Sequence, residues 1–430
     1  MKVSRAYRVE LDPTNVQRTS MLRHAGIARF AYNWGLQRKQ EVWWMNQLPI
    51  PRVKTPTAID LHRELNLRKK QDLAWMYESS KCAPQEALRD LDRAYRSFFE
   101  GRARFPRFHS RHRGPGSFRL TGSIRVRDRQ IGLPRIGRVR LKEHGYLPET
   151  TPILSATVSE RAGRWYVSVA VEEGRPDPTP IVGEVVGVDL GLNHLATVSD
   201  GTVIENPKAL VGRWRKLQHL QREVSRKRNG SRNREKAKRR LSRCHAKVAD
   251  LRKDALHKAT TMLARTKPVI VVESLRPKNM LRNHHLARSL ADASFGEFVR
   301  QLEYKCRWYG SRLVRADPFY PSTQLCSGCG ARKEMPLSER TYSCPACRLM
   351  IDRDLNASRN LAMVAASSAE TENACGGRRF MSARTDAFRG IRNPASTVLA
   401  TVVQVWENGT VHLPPSPSRG CTASLVELAN

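Results

Sequence analysis

The spacing of apolar residues changes several times along the chain and so separates segments of different structure. Near the N-terminus, Tyr7, Val9 and Leu11 alternate with polar residues, which predicts an edge strand with one buried face. After Pro13 the apolar residues recur at helical spacing through "RFAYNWGLQRKQ", and they do so again between residues 57 and 100. We therefore expect one strand followed by a block of helices.

A period of two returns between about residues 117 and 175. Trp165, Val167, Val169 and Val171 fall on one face of a strand, and the Ala162-Gly163 pair before them is typical of a hairpin turn. This pattern indicates an antiparallel sheet or small β-barrel, which the N-terminal strand would join with the helices inserted between. The segment "GRPDPTPIVG" that follows is rich in proline and glycine and predicts a linker.

The second half of the chain begins with the apolar strand "VVGVD" and two strands around an Asp200-Gly201 turn. Residues 208–264 are expected to form a helical hairpin with its tip at Asn229-Gly230, and residues 213–258 hold 18 Lys or Arg against 4 Asp or Glu. The strand "VIVVE", a helix to about Gly310, the strand "RLVRA", a cysteine segment and a helix from Asp354 to about residue 366 follow. This order is the one that an RNase H-like α/β sheet would give.

The composition narrows the class of partner. The 430 residues include 76 Lys or Arg and 40 Asp or Glu, a formal net charge of +36, which favours nucleic acid over small neutral ligands. A basic ribosome-associated protein is the plainer alternative. No run of 18 apolar residues and no signal-peptide pattern occurs, so we expect no membrane partner and a cytoplasmic protein. Beyond residue 368 the Ser, Thr, Gly and Pro content predicts a disordered tail over residues 369–430.

Four cysteines form two CxxC pairs, Cys326 with Cys329 and Cys344 with Cys347, and 14 residues separate the pairs. Two such turns joined by a hairpin can place four thiolates around one tetrahedral Zn²⁺. Because four protein ligands leave no open coordination position, this zinc would be structural. Unliganded thiols or a redox pair are the alternatives.

Three acids occupy positions where a cation or hydrogen bonds must offset the cost of desolvating a carboxylate. Asp189 and Glu273 end apolar strands, and Asp354 begins the helix after the cysteine segment, with Asp352 as a competing candidate. Acids brought to one sheet edge would repel each other unless metal is present, and two Mg²⁺ ions about 3.5 to 4 Å apart would suit phosphodiester hydrolysis. A turn at Asp189, a capped strand end at Glu273 and a helix N-cap at Asp354 are the structural alternatives.

Eight segments together resemble one family of proteins encoded by insertion sequences, the TnpB family. The resemblance covers about residues 1 to 368 in the right order. The segments are "RFAYNWGL", "ALRDLDRAYRSFF", "RFPRFHSR", "GVDLGLNHLAT", "VVESL", "LEYKCRWYG", "PSTQLCSGCG" and "DRDLNASRNLA".

The resemblance implies an RNA-guided, Mg²⁺-dependent DNA endonuclease. Its RuvC-like site falls on Asp189, Glu273 and Asp354, and so favours Asp354 over Asp352. The implied partners are a transposon-derived guide RNA and a double-stranded target DNA, cut beside a short adjacent motif. The implied cofactors are two Mg²⁺ ions in the active site and one structural Zn²⁺. We also expect the zinc-closed hairpin to fix the loop that leads into Asp354.

The expected fold class is multidomain α/β, an RNase H-like RuvC nuclease domain with an inserted zinc ribbon plus a β-barrel interrupted by helices. The expected domains are a wedge barrel at residues 1–12 and 110–178 and a helical recognition domain at residues 13–109. The nuclease domain is expected at residues 183–368, with its hairpin at 208–264 and its ribbon at 322–350, and the tail at residues 369–430.

Outside the nuclease site, a run of arginines is a candidate phosphate-binding segment, or else a solvated loop: Arg104, Arg107, Arg111 and Arg113. Tyr32 and Trp34 are expected in the core rather than against bases. A compact type V CRISPR effector, a nuclease-dead RNA-guided repressor and a strand-transferring transposase that acts without RNA are the rival functions. Retention of all three acids counts against the repressor.

Overall fold

The computed structural model describes residues 2–374, apart from residues 50, 112–115, 144, 149, 150, 337 and 338. The described chain divides into two compact units, Lys2–Gly174 and the part from Arg175 onward. Within the described residues, no helix is long and apolar enough to cross a membrane. The predicted tail lies outside the described residues beyond residue 374.

The first unit contains one antiparallel sheet of seven strands, in the order β2-β6-β7-β1-β5-β4-β3. The strands are β1 Lys2–Asp12, β2 Ser117–Leu120, β3 Arg125–Arg127, β4 Gln130–Leu133, β5 Gly137–Leu141, β6 Ile153–Arg161 and β7 Arg164–Gly174. Ala162 and Gly163 form the predicted β6–β7 turn, both with positive φ. Within the described residues β2 and β3 do not pair with each other, so closure into a barrel stays a prediction.

The prediction that the N-terminal segment is an edge strand was wrong. Strand β1 pairs with β7 over most of its length and with β5 at Leu11 and Asp12, so it lies inside the sheet. The alternation of Tyr7, Val9 and Leu11 reports which face is buried, whereas the backbone groups that pair with neighbouring strands lie in the plane of the sheet. One buried face therefore does not distinguish an edge strand from a central one.

Three α-helices lie between β1 and β2 in sequence: α1 Asn15–Met45, α2 Ala58–Gln71 and α3 Cys82–Phe99, with a short 3₁₀ helix at Ala74–Glu78. Thr14 and Thr57 cap α1 and α2 through capping boxes. Helix α1 packs closely at Gly35, where a Cβ would lie 2.6 Å from Leu88 Cδ2. Tyr32 and Trp34 are 6% and 7% exposed, which confirms that they belong to the core.

The second unit is built on a five-stranded sheet in the order β10-β9-β8-β11-β12. The strands are β8 Val186–Asp189, β9 His194–Val198, β10 Val203–Glu205, β11 Val269–Val272 and β12 Arg312–Arg315. The first three form an antiparallel meander, while β11 pairs parallel with both β8 and β12. This arrangement brings the carboxyl ends of β8 and β11 to the same edge.

Helices α4 Trp214–Arg226 and α5 Arg232–Thr266 form the predicted hairpin. It has a small apolar core of its own that includes Leu217, Leu220, Cys244 and Val248. Helices α6 Pro277–Met280, α7 Ala287–Ala293 and α8 Phe295–Tyr309 follow β11. The cysteine segment after β12 contains the paired strands β13 Thr341–Ser343 and β14 Met350–Asp352.

The last described element, α9 Arg353–Ala374, is longer than predicted. Residues 369–374, part of the predicted disordered tail, are helical. The segment "SAETENA" at residues 368–374 contains two alanines and two glutamates, which are strong helix formers and outweigh its one serine and one threonine.

Candidate active site

Two of the three predicted acids are brought together by strand register. Strands β8 and β11 run parallel, with Val188 opposite Val272. The next residues along the two chains are Asp189, which ends β8, and Glu273, which follows β11 directly. Asp189 is 8% exposed and Glu273 is half-buried. The two residues therefore lie side by side at one edge of the sheet.

The third acid reaches the same edge because helix α9 packs directly on strand β8. At Gly187 a Cβ would lie 1.9 Å from the carbonyl oxygen of Ser358 and 2.6 Å from the amide nitrogen of Ala362, so only glycine allows this approach. Asp354 lies one turn before Ser358 on α9, and its Oδ2 is 3.8 Å from the Cβ position of Gly191. Asp354 thus faces the loop that follows Asp189.

Asp352, the competing candidate, caps the start of helix α9. Its Oδ1 accepts hydrogen bonds from the backbone N–H groups of Asp354 at 2.9 Å and Leu355 at 3.0 Å. This is how an N-cap side chain satisfies the free N–H groups at the start of a helix. Asp352 is exposed, whereas the Asp354 side chain is 14% exposed. The helix-cap interpretation therefore applies to Asp352 and not to Asp354.

The electrostatics of the site are those of crowded carboxylates. Burial raises the pKa of Asp189 well above its usual range, and the charges of Glu273 and Asp354 raise it further. Arg353 and Arg340 lie 3.4 Å and 3.8 Å from Asp354 and offset part of the negative charge. A bound cation would neutralise the negative charge that these arginines leave, and carboxylate oxygens are the ligands that Mg²⁺ prefers.

The acids do not converge on one point. In the part of the chain that the structure describes, only the four cysteines bring three or more metal-ligating atoms within 4.8 Å of one another. At least one pair of the three acids therefore has its carboxylate oxygens more than 4.8 Å apart.

The cysteine cluster has the geometry of a tetrahedral metal site. Cys326 Sγ lies 3.6 Å from Cys347 Sγ, and Cys329 Sγ lies 3.5 Å from Cys344 Sγ. Sulfur atoms at the Zn–S distance on a tetrahedron are separated by about 3.8 Å. The four side chains are therefore compatible with one Zn²⁺ ion.

The pKa values of the thiols also favour a bound cation. The N–H of Cys347 donates to Cys344 Sγ at 3.5 Å, and backbone donors lower the pKa of that thiol to about 6. The Leu349 N–H lowers the pKa of Cys347, but the neighbouring thiols, Cys329 first, raise it to about 12. Four sulfurs this close cannot all ionise unless a positive charge is added.

Helix α5 carries a basic stripe on the side away from the hairpin core. The stripe comprises Arg232, Lys236, Arg239, Arg243 and Lys247, all exposed. Their spacing of three or four residues places them on one face of the helix. Like charges at this spacing destabilise a helix, so a polyanion bound along the stripe would stabilise it.

The arginine run after α3 stays a prediction. Arg104, Arg107 and Arg111 are exposed, and Arg113 lies outside the described residues. Nothing in the described geometry assigns a ligand to them.

Several residues that organise the site were not found from the sequence. Gly187 sets the approach of α9, and Ser322 donates a hydrogen bond to Glu273 Oε1 at 2.6 Å. Asn356 and Asn360 on α9 hold the first cysteine turn. A glycine inside an apolar strand and two asparagines four residues apart were the available signals.

Three family profiles match successive parts of the chain. Residues 168–284 match the OrfB family of the insertion sequence IS605, described as "Probable transposase". Residues 295–361 match the Cas12f1-like TNB domain. Residues 1–47 match the helix-turn-helix domain of the OrfB family, although the structure forms β1 and α1 there.

Two relatives span nearly the whole chain. A "Putative RNA-guided DNA endonuclease" of Streptomyces pristinaespiralis is 36% identical over 417 residues, which cover 96% of this chain and 99% of the relative. The protein named InsQ of Escherichia coli, described in the same words, is 33% identical and covers 84% of this chain and 92% of its own length. The chain belongs to this TnpB family of insertion-sequence proteins.

A solved structure of a Cas12f1–sgRNA–target DNA complex is also similar. It covers 84% of this chain and 99% of the solved chain, with a TM-score of 0.45 and 11% identity.

Proposed function

We propose that this protein is an RNA-guided DNA endonuclease of the TnpB type, encoded by an insertion sequence. The observation that supports this most strongly is the meeting of Asp189, Glu273 and Asp354 at one sheet edge in a chain with end-to-end relatives named as such nucleases. In this proposal the second unit is an RNase H-like RuvC domain, and the first is a wedge barrel interrupted by recognition helices.

The three acids would hold two Mg²⁺ ions, which supply an activated water and stabilise the leaving oxygen of a phosphodiester. The protein's part is to fix the carboxylates. Strand register sets Asp189 and Glu273, and the packing of α9 at Gly187 sets Asp354. The raised pKa of Asp189 means that a bound cation would also drive its ionisation, so metal affinity should increase as the pH rises.

The guide RNA and the target DNA are the proposed partners, and the basic hairpin is the proposed site for nucleic-acid backbone. The stripe from Arg232 to Lys247 offers positive charge along one helix face. Phosphate contacts of this kind carry no sequence information, which suits a protein that leaves sequence reading to base pairing. Affinity should therefore fall steeply with salt.

One Zn²⁺ ion on Cys326, Cys329, Cys344 and Cys347 is proposed to be structural. Strand β14 ends at Asp352, so the cysteine hairpin leads directly into the first turn of α9. The ion would close the hairpin and so support the position of Asp354. It would take no part in the reaction.

Alanine substitution of the acids tests the proposal. Asp189→Ala, Glu273→Ala and Asp354→Ala should each abolish cleavage while binding of guide RNA and target DNA persists. Asp352→Ser is the matched control, because serine also caps helices well. Cleavage by Asp189→Ala at the wild-type rate would overturn the proposed site, and loss of nucleic-acid binding in all three variants would point to a folding role instead.

A further inference from the structure

The four-cysteine cluster and the acidic site are joined by one short stretch of chain. Residues 322–325 lead into Cys326, and two buried asparagines on α9 form hydrogen bonds to the backbone of this stretch. Asn360, which is 2% exposed, donates through Nδ2 to the carbonyl oxygens of Ser322 and Leu325, both at 2.7 Å. Its amide therefore fixes both ends of the stretch against the helix that carries Asp354.

The second asparagine, Asn356, forms hydrogen bonds to the cysteine turn itself. Asn356 is fully buried, and its Nδ2 donates to the carbonyl oxygen of Leu325 at 2.6 Å while its Oδ1 accepts from the N–H of Ser327 at 2.9 Å. These two backbone groups lie on either side of Cys326. Asn356 thus holds a candidate metal ligand against α9.

At the other end of the stretch, the side chain of Ser322 points to the acidic site. Ser322 is 3% exposed, and its hydroxyl donates to Glu273 Oε1 at 2.6 Å. A short hydrogen bond from a buried hydroxyl orients a carboxylate and leaves its other oxygen available to a cation. Glu273 itself lies at a strand end, so the orientation of its side chain depends on such a partner.

We propose that Asn360 and Ser322 are positioning residues that couple the cysteine cluster to Glu273. Asn360 fixes the backbone of Ser322, and Ser322 fixes the carboxylate of Glu273 for a divalent cation. Cleavage therefore depends on the cysteine cluster through a second route, separate from the loop that leads into Asp354. This inference rests on the proposed nuclease function.

The proposal predicts that metal affinity and zinc content respond differently to substitution. Ser322→Ala removes one donor to Glu273, and Asn360→Ala releases the backbone that carries Ser322. Both should bind divalent metal at the acidic site roughly tenfold more weakly, the loss typical of residues that orient ligands. Both should keep the wild-type zinc content, because the four cysteines are unchanged.

Ser358→Ala is the matched control. Ser358 lies on α9 between the two asparagines and is fully buried, and its hydroxyl donates to Leu355 within the helix at 2.8 Å. It tests whether removing any buried polar group from this helix weakens metal binding. Its affinity should stay close to that of the wild type.

The experiment titrates Mn²⁺ into the zinc-loaded full chain and follows free Mn²⁺ by electron paramagnetic resonance. Binding that Asp189→Ala lacks defines the acidic site, and zinc is measured by elemental analysis. Because Ser322 and Asn360 act through one chain of contacts, the double variant should lose little more than Asn360→Ala alone.

Wild-type Mn²⁺ affinity in Ser322→Ala and Asn360→Ala would overturn the inference, as would an equal loss in Ser358→Ala. If Asn360→Ala fails to fold, Ser322→Ala decides alone, since it removes only a hydroxyl. Cleavage assays run beside the titration keep the two proposals apart. A wild-type protein that binds Mn²⁺ at Asp189 but never cuts DNA refutes the nuclease function and leaves the coupling to be judged by the titration.

Discussion

Gly187 offers a direct test of how the third acid is positioned. In Gly187→Ala the new methyl group would lie 1.9 Å from the Ser358 carbonyl oxygen and 2.6 Å from the Ala362 amide nitrogen. Both are backbone atoms of α9, so no side-chain rotation relieves the clash. The helix must move by about 1 Å or more to restore ordinary contact.

That movement should affect stability and catalysis to different extents. Forcing a methyl group into a packed interface typically costs about 1 to 3 kcal/mol. A displacement of about 1 Å exceeds the tolerance of about 0.5 Å for a catalytic group and can lower the rate about 100-fold. We therefore expect a melting temperature several degrees lower and a much larger proportional loss of cleavage at temperatures where the variant stays folded.

The assay pairs thermal unfolding with guided cleavage of a matching DNA. Gly212→Ala is the control, because a Cβ there meets no atom within 4 Å and the backbone is not left-handed. It should behave like the wild type. If Gly187→Ala also melts and cuts like the wild type, α9 does not pack on β8 at Gly187, and this contact does not position Asp354.

Three further predictions concern single side chains. Cys344→Ser should lower both zinc content and cleavage, and full loss of zinc with normal cleavage would refute the link between the cysteine cluster and the acidic site. Asp352→Ala should cost about 1 kcal/mol of stability as a lost helix cap, with far less effect on cleavage than Asp354→Ala; equal damage would reopen the choice between them. Burial lowers the pKa of Lys305 to about 8 from 10.5, so unfolding takes up a proton between those values. The unfolding free energy of the wild type relative to Lys305→Met should therefore rise between pH 8 and pH 10, and a flat difference would contradict the pKa.

The sheet and the hairpin could be predicted because their signals are local. Apolar strands ending in Asp189 and Glu273, and the Asn229-Gly230 pair at the hairpin tip, mark elements whose order then restricts the topology. The central position of β1 could not be predicted, because alternation reports burial of a face and says nothing about pairing along the two sides of a strand.

The choice between Asp352 and Asp354 also exceeded what spacing can decide. Both fall at the start of α9, and only the hydrogen bonds at the helix terminus show that Asp352 is the cap. The roles of Ser322 and Asn360 were out of reach for a different reason. Their partners are up to 49 residues away in sequence, so no local pattern marks them.

In the proposed function, base pairing with a bound RNA directs cleavage. The most direct measurement sequences any RNA that copurifies with the protein, replaces the 3′ segment of that RNA and maps the cut sites in a DNA library. Cleavage should move to DNA that matches the new segment, next to an unchanged short motif, and ribonuclease treatment should abolish it. Cleavage that stays at the original sites, or that survives removal of the RNA, would show that the protein chooses its target without a guide.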